Sequence, residues 1–229
     1  MGKDADGRLP HRAALLPAEF GIGMPNMMEY TKAAKLLSRY GIRSAECAYL
    51  PTREAAVKFA SSRGPIAIKA ITSRALHKTK SGIMELNLSA AAQVSGAYAR
   101  ISRRARRFRP YRMLGQRMVK GGLEIIVGGN TDSQFGKLIM IGLGGIYVET
   151  FRDVALRVCP ISRTDAGLMI DQLRSGNVIA PDVKSHRMLE DLLLSASSMF
   201  YENDMKEMDL NPVILHDGTY DAVDIRILE

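Results

Sequence analysis

The chain has 229 residues, 46% of them hydrophobic and 24% charged, enough for a substantial core in one large domain or two lobes. No apolar run approaches the ~18–20 residues that span a bilayer, and the polar stretch through Arg12 lacks a signal-peptide core, so a cytoplasmic location is expected. The net charge of +8 permits nucleic-acid or phosphate-bearing partners without establishing either, and Cys47 and Cys159, without metal-ligand spacing, read as free thiols.

In chain order, residues 1–22 read as a flexible N-terminal arm. A helix is predicted from Asn26 to Tyr40, with a stripe of Tyr30, Ala33, Ala34 and Leu37, and Gly41 ends it. A short strand follows at Ala45–Tyr49. A second helix runs from Pro51 to Ser62 with Thr52 as its N-cap, and Gly64-Pro65 breaks it. Ile66–Ile71 reads as a buried strand carrying one lysine, Lys69. A polar loop, Thr72 to Gly82, holds His77. Strand alternation resumes at Ile83–Leu88, and a helix spans Ser89 to Arg107. Arginines crowd the segment from Arg100 to Arg112, which reads as an exposed basic face or as a contact for an acidic partner.

Strands are predicted at Met113–Met118, Leu123–Val127 and Lys137–Gly142, with a turn at Gly128-Gly129-Asn130-Thr131-Asp132 and a glycine loop at Gly142-Leu143-Gly144-Gly145, followed by a short run to Glu149. Ala155–Ile161 reads as extended. Two helices follow, Arg163–Arg174 and Lys184–Asn203. Strands and helices mix without strict βαβ alternation, which favours an α+β fold with largely antiparallel sheets and a lobe boundary near 110–120.

The C-terminus is the most informative stretch. Glu207-Met208-Asp209-Leu210-Asn211 and Ala222-Val223-Asp224-Ile225 alternate apolar with polar residues, and Asp217-Gly218 between them is a hairpin turn signal. Side chains two apart on a strand share a face. Glu207, Asp209 and Asn211 are therefore expected on one face, with Asp224 near Asp209 and Asn211. Such carboxylate and amide oxygens suit Mg2+, which usually also binds substrate phosphates. A solvated polar face on an edge hairpin is the alternative.

Six motifs in one order give the chain a family resemblance. They are Tyr40-Gly41-Ile42, Lys69, Leu76-His77-Lys78, Gly121 to Gly128, Gly142 to Glu149, and Glu207 to Pro212. From Asn26 onward the sequence resembles the ATP-grasp domain of ADP-forming acyl-CoA synthetases, and most closely the small β subunit of ADP-forming acetyl-CoA synthetases. The resemblance implies an ATP-grasp fold of two lobes with nucleotide between them. It implies that Lys69 holds ATP or ADP phosphates, that Arg117, Met118 and Val119 meet adenine through backbone groups, and that Glu124 binds the ribose hydroxyls. Asp209, Asn211 and Asp224 match metal-binding positions for Mg2+, with Glu207 set further back. His77 matches a histidine that relays a phosphoryl group to ADP after an α-subunit histidine has received it from an acyl phosphate. A neutral imidazole is nucleophilic near pH 7, which suits that work.

One departure falls in the same loop. Where the family pattern has an Asp and then a second glycine, this chain has Lys80 and Ile83. A carboxylate there orients the histidine; a lysine cannot, although it attracts a phosphoryl group. No CoA-binding Rossmann-like domain is visible, so the resemblance implies a CoA-binding α subunit as partner, in a heterotetramer. The competing expectations are a non-catalytic regulatory ATP-grasp module of an acyltransferase-type assembly and, from charge alone, a nucleic-acid-binding protein. His11, His186 and His216 match no motif.

Overall fold

The computed structural model describes residues 27–72, 82–145 and 153–229. The expectations for the arm at 1–22, for the His77 loop and for the run from residue 146 to Glu149 lie outside these residues. The fold is α+β, built on two antiparallel sheets. The first contains β1 (Cys47–Tyr49), β2 (Ile66–Ile71), β3 (Met84–Leu88) and β4 (Arg112–Arg117), in the order β1-β4-β2-β3. The second has the order β10-β8-β5-β6-β7, with β9 also paired to β8. Its strands are β5 (Leu123–Asp132), β6 (Gly136–Leu143), β7 (Val154–Val158), β8 (Glu207–His216), β9 (Thr219–Ala222) and β10 (Ile225–Leu228). Residues 118–122 join the two sheets.

Helices α2 (Arg53–Arg63) and α3 (Ala91–Ala105) cover one face of the first sheet, where Ile66, Ile68 and Ala70 meet Ala56, Ala60, Val94, Ala97 and Ile101. Helices α4 (Arg163–Asp171), α5 (Gly176–Ile179) and α6 (Val183–Glu202) cover one face of the second, where Ile125, Val127, Ile139 and Ile141 pack with Met169, Leu189, Leu193 and Phe200. Helix α4 stops at Asp171, three residues short of the predicted Arg174, and the short α5 that follows it was not anticipated. The Thr52 cap forms as expected, its hydroxyl accepting from the Ala55 amide at 3.2 Å.

Helix α1 (Tyr30–Arg39) begins four residues later than the sequence suggests. Residues 27–28 are extended instead, because Met27 bridges Leu228 and the Met28 amide donates to the Ile227 carbonyl at 2.9 Å. The helix ends as predicted at Gly41, whose φ is +74°. It touches both β1 of the first sheet and β10 of the second, so its buried Tyr30 lies where the sheets meet.

The predicted turn at Gly128–Asp132 is a correction. β5 runs unbroken through it, and the turn comes after Asp132, whose carboxylate accepts from the Gln134 and Phe135 amides at 2.8 and 2.9 Å. Gly129 is there for close approach: a Cβ on it would stand 2.9 Å from the Phe200 ring.

Candidate functional site

Alternation on β5 and β8 gives the second sheet an open face opposite its helices. Ile125 and Val127 are fully buried in the core, which puts Glu124, Ile126 and Gly128 on the other side. On β8, Met208 and Leu210 point inward, so Glu207, Asp209 and Asn211 share that open face. The registers align them: Asp209 lies opposite Gly128, and Glu207 opposite Asn130.

The expected hairpin forms. Asp217 and Gly218 have φ of +48° and +69°, and His216 pairs Thr219 across the two-residue turn. Its return strand is split into β9 and β10 around Val223-Asp224. The split faces Asn211-Pro212, because a proline has no N–H for the ladder. Instead the Asn211 amide donates to the Asp224 carbonyl at 3.1 Å and the Val223 amide to the Pro212 carbonyl at 2.9 Å. Asp224 is thereby fixed beside Asn211. Among the described residues no three His, Cys, Asp or Glu side chains form a metal cluster. The donors here are two carboxylates and one amide. That set fits a hard cation that keeps water and phosphate oxygens as its remaining ligands.

Lys69 comes to this corner from the first sheet. It is 2% exposed. Its ammonium donates to Asp224 at 3.1 Å, to the Val223 carbonyl at 3.1 Å and to the Tyr30 hydroxyl at 3.2 Å. Burying an ammonium without a counter-charge is expensive. The sequence predicts a phosphate in that role; within the chain itself Asp224 fills it. Tyr30 in turn donates to the Val223 carbonyl at 2.8 Å and accepts from Gln116 at 3.2 Å. Burial, and after it the Asp224 charge, push the Tyr30 phenol well above its ordinary range, so it stays a neutral hydroxyl.

Sequence reasoning gave Tyr30 only a place in a helical stripe and gave Gln116 nothing. Gln116 did carry a signal: it is a polar residue in the apolar run from Met113, and a buried amide needs partners.

The linker positions are partly engaged. The Arg117 amide donates to the Glu46 carbonyl at 2.8 Å and the Met118 amide to the Pro65 carbonyl at 2.9 Å. Arg117 also lines a cavity of about 350 Å³ with Arg43, Glu46 and Asp221. Val119 follows on the way to β5. Glu124 is exposed on the open face, and its carbonyl accepts from the Gly144 amide at 2.7 Å. A Cβ at Gly144 would stand 2.8 Å from that carbonyl, so only glycine lets the loop lie against Glu124.

Asp153 stands just before β7. Its carboxylate accepts from the Arg174 and Ser175 amides, both at 2.8 Å. Burial pushes this carboxyl up, but hydrogen bonds from Ser175 and Arg174 outweigh it and hold the group below the ordinary carboxylate range. Cys47 and Cys159 are free, and burial pushes both thiols up. His77 and its neighbours Leu76, Lys78 and Lys80 lie outside the described residues.

The chain thus brings together Lys69, Asp224 and Asn211, with Asp209 and Glu124 on the adjoining face. The sequence profile of the ATP-grasp domain family matches residues 25–228. The β subunit of acetate–CoA ligase [ADP-forming] II of Pyrococcus furiosus is 34% identical over 90% of this chain and 92% of that relative. Among solved structures, the dinucleotide-forming acetyl-coenzyme A synthetase 1 of Ca. Korarchaeum cryptofilum, in complex with coenzyme A, Ca-AMPCP and HgCl+, superposes with a TM-score of 0.81 at 32% identity, covering 88% of this chain and 93% of that one. The same enzyme with coenzyme A and Mg-AMPPCP, its phosphohistidine segment pointing towards the nucleotide binding site, gives a TM-score of 0.76 at 32% identity over 88% and 92% of the two chains.

Proposed function

The chain belongs to the ATP-grasp domain family, and on that premise we propose that it is the nucleotide-binding β subunit of an ADP-forming acyl-CoA synthetase of the acetate–CoA ligase type. One observation carries the reading. A buried lysine of the first sheet reaches a carboxylate on the second, 3.1 Å away, beside an amide and a further carboxylate on one open face. A cation facing an acidic oxygen cluster across two sheets is what a Mg2+–nucleotide needs: the lysine meets phosphate and the oxygens meet metal. The names of three of the relatives, all acetate–CoA ligases, support catalysis over a non-catalytic module.

In this reading ADP or ATP lies against the open face. Glu124 binds the ribose hydroxyls. The linker at Arg117, Met118 and Val119 borders the adenine; since the Arg117 and Met118 amides are engaged, their carbonyls and Val119 make the contact. Lys69 holds the phosphates. Asp209, Asn211 and Asp224 hold Mg2+, which spreads the phosphate charge when bound. His77 carries the phosphoryl group: an ADP oxygen attacks phosphorus, the N–P bond breaks, and the imidazole, carrying a proton on its other ring nitrogen, leaves neutral as the O–P bond of ATP forms. The carboxylic acid and CoA are handled by a CoA-binding α subunit, with two copies of each subunit in the assembly. Acyl choice then rests mostly with that partner.

The test is a phosphohistidine assay with radiolabelled ATP and Mg2+ on the full chain. Acid-labile, alkali-stable label is expected in the wild type and absent in His77→Ala and Asp209→Ala. Label persisting in His77→Ala moves the acceptor elsewhere. Absence of both label and nucleotide binding in the wild type sinks the catalytic reading.

A further inference from the structure

All three N–H donors of Lys69 are engaged within the chain, on the Tyr30 hydroxyl, the Val223 carbonyl and Asp224. The Tyr30 hydroxyl is saturated as well. It donates once, to Val223, and accepts twice, from Lys69 and Gln116. The Tyr30 ring adds a cation–π contact, its centroid 4.7 Å from the Lys69 ammonium. The partners differ in access. The Asp224 side chain is 35% exposed, whereas Tyr30 and Gln116 are buried at 2% and 1%. A ligand arriving on the open face can therefore reach the Asp224 contact but not the Tyr30 one.

We propose that Tyr30, braced by Gln116, is a positioning residue for the nucleotide: it holds the Lys69 ammonium through hydroxyl and ring while the third N–H of Lys69 passes from Asp224 to a phosphate oxygen. The exchange frees Asp224 for the metal without leaving a buried cation adrift. Lysine has a flexible stem, and fixing its head beforehand removes an ordering cost from binding. This inference rests on the nucleotide reading above.

The test is a double-mutant cycle on Mg2+–ADP affinity, measured by calorimetry with the full chain in wild type, Tyr30→Phe, Lys69→Met and the double variant. If Tyr30 acts through Lys69, the two changes are not additive: Tyr30→Phe weakens affinity ~10-fold in the wild-type background and less than ~2-fold in the Lys69→Met background. An equal loss in both backgrounds, or no loss in either, overturns the inference. Should Lys69→Met not fold, the ratio of ADP to adenosine affinity in Tyr30→Phe decides: a lowered ratio supports the positioning role and an unchanged ratio overturns it. Failure of the wild type to bind Mg2+–ADP defeats the nucleotide reading itself. Binding by the wild type with an additive cycle defeats only the role of Tyr30.

Discussion

A single ammonium shows how residue chemistry shapes this corner. Lys69 sits in an otherwise apolar strand, Ile66–Ile71, and is stable there because Asp224, Tyr30 and Val223 surround it with an anion and two oxygens. Asp153 is the complementary case, a buried anion met by two backbone amides. Asp153→Ala strands those amides and is expected to cost about 2–3 kcal/mol, read by denaturant unfolding at pH 7. Its folded pKa is depressed, so Asp153 binds fewer protons folded than unfolded near that pKa. The stabilisation is present above the unfolded value of ~3.9 and is lost as pH falls through the lower folded one. The stability gap between wild type and Asp153→Asn should stay flat from about pH 7 to 5 and close below about pH 4. A gap that widens in acid contradicts the assignment.

At the scale of elements, glycines that resemble a turn instead let a strand and a helix pack closely. Gly128-Gly129 continues β5, and Gly129 lies against the fully buried Phe200 of α6. Phe200 is fully buried, and a Cβ at Gly129 would stand 2.9 Å from its ring. Gly129→Ala should therefore destabilise by about 1–3 kcal/mol through overpacking, measured by chemical denaturation. A neutral result would show that α6 can shift. The split of the hairpin's return strand into β9 and β10 is set by Pro212, and it is this split that puts Asp224 beside Asn211. The arginine-rich end of α3 is partly tied down: Arg100 makes a two-pronged pair with Glu85 at 2.9 and 2.6 Å, and Arg104 donates to the Gly82 carbonyl. These contacts favour a structural use for part of the basic cluster.

At the scale of the whole molecule, the Lys69–Asp224 pair and helix α1 link two sheets with largely separate cores. A ligand that bridges the sheets should stabilise them together. Mg2+–ADP at a hundred times its Kd adds about 2.7 kcal/mol, which for a chain of this size is a rise in Tm of roughly 5–10 °C. EDTA in place of Mg2+ should remove most of that rise. An equal rise with EDTA would mean that Asp209, Asn211 and Asp224 hold no cation for the nucleotide. Among the described residues no helix is long and apolar enough to cross a membrane.

The sequence by itself determined most of the elements and the face of each site residue on the terminal hairpin. Alternation and the Asp217-Gly218 turn are local signals, and they put Glu207, Asp209 and Asn211 on one side with Asp224 opposite Asn211. The ordered motifs led to the family for the same reason: each is a short stretch whose chemistry is written in adjacent residues. Tertiary structure alone decided what local patterning cannot encode. The late start of α1 comes from pairing with a strand some 200 residues away (Met27 with Leu228), which overrides helix propensity. The unbroken β5 comes from Phe200 packing on a glycine that reads locally as a turn. The counter-ion of Lys69 lies 155 positions along the chain, Tyr30 meets the ammonium from α1, and Gln116 braces Tyr30 from β4. A buried charge is satisfied by whatever the fold brings within about 3 Å, and that distance is fixed only once the sheets have packed.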